Sequence, residues 1–175
     1  MAELEVTWDE YHDLIERLAI QVHESGWAFN QIICIARGGL RVGDVLSRIF
    51  DAPLAILSTH SYSEAGGTVR RTLTIAEHMT MSSERLGERV LLVDDMVDSG
   101  HTLKAVHEIL PQRFPLIREV RTAVLWYKGC SVFRPDYFVE YLPDSPWIRQ
   151  PFEEYDRTRP EQMVARKRRA ASSTR

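Results

Sequence analysis

Cysteine is scarce in this sequence, and long apolar runs are missing from it. The chain of 175 residues contains two cysteines, Cys34 and Cys130, and their spacing is not that of metal ligands. This excludes a disulfide framework and fits a reducing compartment. No apolar run approaches the roughly 20 residues of a membrane-spanning helix, and the acidic start MAELEVTWDE lacks the apolar core of a secretory signal. We therefore expect a cytoplasmic protein without membrane contact.

Positive charge is concentrated at one end of the chain. The net charge is −3, but residues 166–175 carry five basic and no acidic side chains, which leaves −8 for the rest. An acidic body repels phosphate backbones, so the charge distribution argues against nucleic acid as a partner. We expect residues 166–175 to form a flexible basic tail, with contact to RNA or an anionic surface as the alternative.

Segments with strand-like and helix-like apolar patterns alternate along the chain. Three helices are predicted, at about residues 7–24, 40–50 and 100–110. Five buried strands are predicted, at about residues 31–36, 53–59, 89–93, 120–125 and 137–141. Thr7 and Glu10 form a capping-box pattern, Pro111 marks the end of the third helix, and residues 61–80 suit a long loop or an irregular hairpin. This alternation predicts an α/β fold with a parallel sheet flanked by helices.

Three aspartates follow the third predicted strand. In the stretch VLLVDDMVDSGHT, Asp94 and Asp95 end the strand, and Asp98 comes shortly before the next helix. Ligands of open α/β sheets bind at the carboxyl ends of strands. Adjacent carboxylates can accept hydrogen bonds from the vicinal hydroxyls of a ribose. Asp98 would then lie above the sugar ring, where a base would sit.

The residues that follow Asp98 suit a phosphate group. Ser99 and Thr102 supply hydroxyls, Gly100 permits a close turn, and N–H groups at a helix N-terminus attract anions. The stretch from Asp94 to Thr102 therefore predicts a site for a phosphorylated sugar. The alternative is an acidic turn in which Asp98 caps the following helix.

This stretch resembles the PRPP-binding signature of the type I phosphoribosyltransferases. Residues 36–39 (ARGG) are similar to the pyrophosphate loop of that family, and residues 147–153 (WIRQPFE) resemble a segment of its bacterial xanthine-guanine members. The resemblance covers about residues 6–155. It implies the type I phosphoribosyltransferase fold, with one domain over residues 1–165 and a small hood at about 126–155.

The resemblance also implies an activity. The enzyme would transfer the 5-phosphoribosyl group of PRPP to N9 of a 6-oxopurine (guanine, xanthine or hypoxanthine) and release pyrophosphate. Asp98 would be the catalytic residue and would handle the proton at purine N7. The cofactor would be Mg²⁺, with Asp94 and Asp95 as its ligands. A homo-oligomer, either a dimer or a tetramer, is implied as well.

Further site residues follow from the same resemblance. The PRPP-binding set would be Arg37, Gly38, Asp94, Asp95, Ser99, Gly100, His101, Thr102 and Arg70. Whether Arg70 or Arg71 contacts pyrophosphate stays open, and a solvated pair is the alternative. Lys128 would donate to the 6-oxo group, and Trp147 or Ile148 would cover the face of the base. The alternatives are a solvated lysine and a tryptophan that belongs to the core.

Two other functions stay open at this point. One is a PRPP-sensing regulatory protein of the same fold that binds nucleic acid. The other is a transferase for orotate or another pyrimidine. The acidic body disfavours the first, and the presence of Asp98, Lys128 and Trp147 favours an enzyme with a purine pocket.

Overall fold

The computed structural model describes residues 3–63 and 71–172. In chain order the elements are β1 (Glu3–Glu5), α1 (Trp8–Glu24), β2 (Gln31–Ala36), α2 (Gly39–Ile49), β3 (Leu54–Ser63), β4 (Arg71–Ile75), β5 (Thr80–Met81), β6 (Arg89–Val93), β7 (Met96–Val97), α3 (His101–Arg113), β8 (Glu119–Lys128), β9 (Tyr137–Leu142), β10 (Trp147–Arg149), α4 (Glu154–Arg157) and α5 (Pro160–Ser172). Two compact units are present: residues 13–145, and the residues up to His12 together with those from Pro146 onward. The domain and hood boundaries given above stay predictions.

A mostly parallel sheet forms the larger unit. Its central strands lie in the order β3–β2–β6–β8–β9, and each neighbouring pair is parallel. The sequences of these strands are continuous apolar runs because both faces of the sheet are covered. All of the predicted strands are present, and β2 and β6 have the predicted bounds. The predicted α/β fold class is confirmed.

Helices cover both faces of this sheet. On one face α2 lies against β2, since a Cβ atom on Gly43 would lie 2.6 Å from Cβ of Cys34. Burial raises the pKa of the Cys34 thiol to about 12, in keeping with its predicted place in the core. On the other face, apolar residues of α3 share a buried cluster with Ile33 and Ile35. Neighbouring residues of a strand point to opposite faces, so β2 contributes to both layers.

Short strands extend the sheet beyond its parallel centre. β4 and β5 both pair antiparallel with β3, so of the two alternatives for residues 61–80, a long loop or an irregular hairpin, the described residues have the hairpin. β7 pairs with β8 beyond the end of β6. The sequence did not predict β5 or β7, because a strand of two residues has no measurable periodicity.

Helix α3 is longer than predicted. The sequence predicted an end before Pro111, but the helix continues to Arg113. Proline removes one helical hydrogen bond, and neighbouring bonds hold the last turn. The N–H of Phe114 donates to the carbonyl of Leu110 at 2.9 Å, and the side chain of Gln112 donates to the carbonyl of Glu108 at 3.0 Å. The prediction of this helix end was therefore wrong.

The smaller unit contains a two-stranded parallel sheet of β1 and β10, followed by α4 and α5. Helix α5 includes residues 166–172 of the expected basic tail, because arginine, lysine and alanine are strong helix formers. The flexibility of residues 166–175 stays a prediction. None of the helices in the described ranges combines the length and the apolar character that a membrane span requires.

The capping box predicted at the start of α1 is present. Thr7 Oγ1 accepts the N–H of Glu10 at 3.3 Å, and the carboxylate of Glu10 accepts the N–H of Thr7 at 2.8 Å. Thr7→Ala removes the accepting hydroxyl, so we expect the free energy of unfolding in urea to fall by about 1 kcal/mol. Thr7→Ser keeps the hydroxyl and should retain most of the stability. An equal loss in both variants would contradict the capping role.

Candidate active site

The candidate site lies where the central strands end. β3 lies on one side of β2 and β6 lies on the other, so the chain leaves β2 at the point where the order of the strands reverses. Loops at such a point diverge and leave a crevice in which open α/β sheets bind ligands. The loop after β2 begins at Arg37, and the loop after β6 begins at Asp94.

Two glycines let these two loops touch. A Cβ atom on Gly38 would lie 2.5 Å from Oδ1 of Asp95, and one on Gly39 would lie 2.5 Å from the carbonyl oxygen of Val93. A larger residue at either position would push the loops apart. The peptide bond between Ala36 and Arg37, at the start of the first loop, is cis.

A cavity of about 270 Å³ opens at this crevice. Seven of the predicted site residues line it: Gly38, Asp94, Asp95, Asp98, Ser99, Gly100 and Thr102. Thr59 also lines it and was missed by the sequence reasoning. It lies on β3, just beyond Ser58, which pairs with the last residue of β2. A hydroxyl beside the end of β2 can be recognised as part of the site only when the order of the strands is known.

Backbone N–H groups hold the paired carboxylates. Asp94 Oδ1 accepts the N–H of Asp95 at 3.0 Å, and Asp95 Oδ1 accepts the N–H of Met96 at 2.8 Å. Burial raises the pKa of Asp94 well above its ordinary value, and the neighbouring charge of Asp95 raises it further. A cation or hydroxyl donors from a ligand would stabilise the charged form of this pair.

The paired carboxylates suit Mg²⁺ as part of a shared site. Mg²⁺ prefers oxygen ligands and is usually held by one or two carboxylates together with substrate phosphates and water. Within residues 3–63 and 71–172, no group of three or more His, Cys, Asp or Glu side chains is arranged to hold a metal. Asp94 and Asp95 therefore fit an ion that a phosphorylated substrate helps to bind.

The turn after Asp98 has the form that a phosphate site needs. Gly100 is the N-cap of α3, and its φ of +83° is a left-handed conformation that favours glycine. The N–H of Lys104 donates to the carbonyl of Gly100 at 3.0 Å, so helix geometry leaves the N–H groups of residues 101–103 without a partner inside the helix. These groups can bind an anion. Since Gly100 is the N-cap, Asp98 does not have the capping role that was the alternative.

Lys128 and Asp98 form an ion pair. Lys128 Nζ lies 3.1 Å from Asp98 Oδ1. Lys128 is 5% exposed, which excludes a solvated surface lysine, whereas the Asp98 side chain is 63% exposed. The sequence placed Lys128 after a strand, but β8 is longer than predicted and Lys128 is its last residue. The ammonium group is therefore carried by a strand of the sheet.

Two predicted residues that the structure describes, Arg37 and His101, are not among the residues that line the cavity. Arg37 and His101 are described and exposed. Arg70 lies outside the described residues, and Arg71 begins β4. Their contacts with PRPP stay predictions.

Trp147 and Ile148 belong to the smaller unit, in strand β10. Trp147 is 59% exposed, so it is not a plain core residue, whereas Ile148 is 2% exposed. Consecutive residues of a strand point to opposite faces, so the side chains of Trp147 and Ile148 lie on opposite faces of β10. The burial of Ile148 leaves Trp147 with the larger accessible surface, and the base-binding roles of both residues stay predictions.

Residues 7–157 match the family described as the phosphoribosyl transferase domain. The chain belongs to the phosphoribosyltransferase family. It is 30% identical over 149 residues to the xanthine-guanine phosphoribosyltransferase of Gluconobacter oxydans, with 85% of this chain and 83% of that protein covered. It is 29% identical over 151 residues to the protein of that name from Nitratidesulfovibrio vulgaris (strain DP4), again with 85% and 83% covered.

Solved structures of phosphoribosyltransferases share the fold. A purine phosphoribosyltransferase from Pyrococcus horikoshii has a TM-score of 0.71 and 29% identity, with 87% of this chain and 94% of that chain covered. The xanthine-guanine-hypoxanthine phosphoribosyltransferase of Helicobacter pylori has a TM-score of 0.72 and 24% identity, with 88% and 95% covered. The predicted type I phosphoribosyltransferase fold is confirmed.

Gly39→Ala tests the loop contact in this phosphoribosyltransferase. The added methyl group meets backbone atoms of Val93 and Asp94 at 2.5 and 3.0 Å, so the backbone must shift. We expect the free energy of unfolding to fall by about 1–3 kcal/mol and PRPP to bind more weakly in calorimetry.

Gly26→Ala is the control for this substitution. Gly26 has a φ of +69° but no atom within 4 Å of an added Cβ, so the variant should lose stability without losing PRPP affinity. Normal PRPP binding by Gly39→Ala would show that the loop contact does not shape the site.

Proposed function

We propose that this phosphoribosyltransferase transfers the 5-phosphoribosyl group of PRPP to N9 of a 6-oxopurine and releases pyrophosphate. The accepted bases would be guanine, xanthine or hypoxanthine. The proposal rests above all on one observation, the buried ammonium group of Lys128 that lies 3.1 Å from the carboxylate of Asp98. Asp98 also lines the cavity, so the pair stands beside the predicted sugar-phosphate site.

The Lys128–Asp98 pair complements one edge of a 6-oxopurine. On that edge the 6-oxo group accepts a hydrogen bond, and the adjacent N7 can carry a proton in the free base. Lysine only donates and an ionised aspartate only accepts. Lys128 would therefore donate to the 6-oxo group while Asp98 binds the N7 proton. Adenine would present an amino donor to the ammonium group, which favours 6-oxopurines over adenine.

The other site residues suit PRPP. Asp94 and Asp95 would accept hydrogen bonds from the ribose hydroxyls, and the N–H groups at the start of α3 would bind the 5′-phosphate. Gly38 lines the cavity, so the backbone after β2 would contact the pyrophosphate group there. Mg²⁺ held by the paired carboxylates and PRPP oxygens would neutralise charge on the leaving pyrophosphate.

The reaction exchanges one bond at the sugar for another. The bond between ribose C1 and the pyrophosphate oxygen breaks, and its electron pair leaves with pyrophosphate. N9 of the base donates an electron pair to C1, and Asp98 accepts the proton that the base loses. Positive charge develops on the ribose during the transfer, so catalysis depends mainly on positioning and on nearby negative charge.

The names of the relatives support a purine as the acceptor. Two relatives at 29–30% identity are xanthine-guanine phosphoribosyltransferases, and a structure at 29% identity is a purine phosphoribosyltransferase. Relationships at this distance support the class of base, and the choice among the three 6-oxopurines belongs to experiment.

A spectrophotometric assay tests the function. Purified protein receives PRPP and Mg²⁺ with guanine, xanthine, hypoxanthine, adenine or orotate in turn. We expect nucleotide formation with at least one 6-oxopurine and none with adenine or orotate. Transfer to adenine or orotate alone would overturn the assignment. If no base reacts but calorimetry detects PRPP binding, the sensor alternative gains support, and a gel shift with and without PRPP would test it.

Asp98→Asn tests the role of Asp98 as the catalytic base. Asparagine has nearly the same size but cannot accept the base proton, so we expect kcat to fall by about 100-fold or more. The variant leaves Lys128 without its carboxylate partner, so thermal unfolding is measured in parallel. The double variant Asp98→Asn/Lys128→Met removes the unpaired charge and should recover stability but not kcat. Near-normal turnover by Asp98→Asn would remove its catalytic role.

Lys128→Met tests recognition of the 6-oxo group. Methionine keeps much of the buried stem but removes the ammonium donor. We expect the KM for the 6-oxopurine to rise about tenfold, within the 1–3 kcal/mol that an unsatisfied buried acceptor costs. Lys104→Met, at an exposed lysine of α3, is the matched control and should leave the KM unchanged. An unchanged KM in Lys128→Met would refute the assignment.

A further inference from the structure

We propose that the turn formed by residues 129–133, here called the β8–β9 turn, positions Asp98 and the start of α3, with Ser131 as its central positioning residue. The role of Asp98 in catalysis rests on the proposed function. The contact between the β8–β9 turn and the loop that carries Asp98 is independent of that function.

The β8–β9 turn contacts two consecutive residues of the neighbouring loop, Asp98 and Ser99. The N–H of Val132 donates to the carbonyl of Ser99 at 3.0 Å. The Sγ atom of Cys130 lies 3.6 Å from the carbonyl oxygen of Asp98 and 3.8 Å from its Oδ1. The backbone hydrogen bond therefore holds Ser99, and the thiol contacts both the main chain and the side chain of Asp98, the proposed catalytic residue.

The side chain of Ser131 closes the β8–β9 turn. Its Oγ accepts the N–H of Phe133 at 3.1 Å and donates to the carbonyl of the same residue at 2.8 Å. Gly100 packs directly against this closed turn: a Cβ atom on Gly100 would overlap Ser131 Oγ and would lie 2.8 Å from the N atom of Phe133. The N-cap of α3 therefore rests on a surface whose shape depends on the hydroxyl of Ser131.

The turn is itself anchored to other parts of the larger unit. The N–H of Cys130 donates to Ser145 Oγ at 3.0 Å. The ring of Phe133 lies 5.6 Å from the ring of His107 on α3 and packs against the buried cluster of the sheet. A turn that is fixed on several sides can support a loop, whereas an unanchored turn would move with it.

The β8–β9 turn also joins the two halves of the proposed site. It follows Lys128 directly in the chain, and the N–H of Ser131 donates to the carbonyl of Lys128 at 3.1 Å. The residue proposed to bind the base and the loop proposed to bind PRPP are thus supported by the same few residues. A shift of the turn would change the spacing between Lys128 and Asp98 on which proton transfer depends.

Ser131→Ala tests the inference, because it removes the closing hydroxyl and adds no atoms. We expect kcat to fall by about tenfold or more, since small misplacements of catalytic groups are costly, while the KM for the 6-oxopurine changes by less than about twofold. Ser83→Ala is the matched control. Ser83 Oγ donates to the carbonyl of Arg85 at 2.9 Å, so this variant removes the same kind of bond from a turn between β5 and β6. It should leave both parameters unchanged.

Hydrogen exchange gives a readout that does not depend on activity. In Ser131→Ala we expect faster amide exchange in residues 98–104 and unchanged exchange elsewhere, because a local support has been removed. Normal kcat together with normal exchange in these residues would overturn the inference. Faster exchange throughout the chain would also overturn it, because the role of Ser131 would then be stability of the whole fold. If the wild-type protein transfers to no purine, the proposed function is wrong. Amide exchange in residues 98–104 of Ser131→Ala still tests whether the β8–β9 turn positions the loop that carries Asp98.

Cys130→Ala provides a second test if Ser131→Ala does not fold. Cys130 is exposed, so its truncation costs little packing. We expect a fall in kcat, because the thiol contact with Asp98 is lost, and recovery in Cys130→Ser, which keeps a donor at that position. Equal, wild-type kcat in both Cys130 variants would overturn the inference.

Discussion

The parallel pairing of β2 with β6 is the constraint on which the site depends. Cys34 pairs with Val93 in this register, so the two strands end at a similar height and their loops meet. The loops meet so closely that an added Cβ atom would contact the Asp95 side chain at Gly38 and the backbone of Val93 and Asp94 at Gly39. The described residues that are assigned to the sugar phosphate lie on one of these loops or on α3, so a change of register would separate them.

The charges in this crevice suit a substrate that binds together with a cation and carries hydroxyl donors. The paired aspartates lie together at the strand end, and burial makes ionisation of Asp94 costly. Close by, the start of α3 offers N–H groups and partial positive charge. A ligand with hydroxyls at one end and a phosphate at the other satisfies both environments, whereas a purely anionic or purely cationic ligand satisfies one of them.

Local signals in the sequence were sufficient for much of this fold. The capping box at Thr7 and the apolar runs of β2 and β6 are patterns within a few residues, and the structure has them where they were predicted. β1 and β10 were missed because each has three residues and forms only by pairing with a segment far away in the chain. The end of α3 was misjudged because neighbouring bonds compensate for Pro111.

The candidate site could be predicted where its residues are close together in the sequence. Asp94 to Thr102 form one short stretch, and their shared cavity follows from a strand that leads into a helix. Thr59 could not be found in that way, because its place depends on which strand lies beside β2. The support given by Ser131 also escaped prediction, because a serine in a turn acquires its meaning only when Gly100 is seen against it.

The position of Lys128 in a strand has a consequence for its proposed role in base recognition. Side chains alternate along β8, so Tyr127 points to the opposite face, and the next residue, Gly129, has no side chain to offer. No neighbour in the chain can take over if this lysine is replaced. In the proposed enzyme, a change of the preferred base would therefore require a substitution at this position or a new donor from a different element.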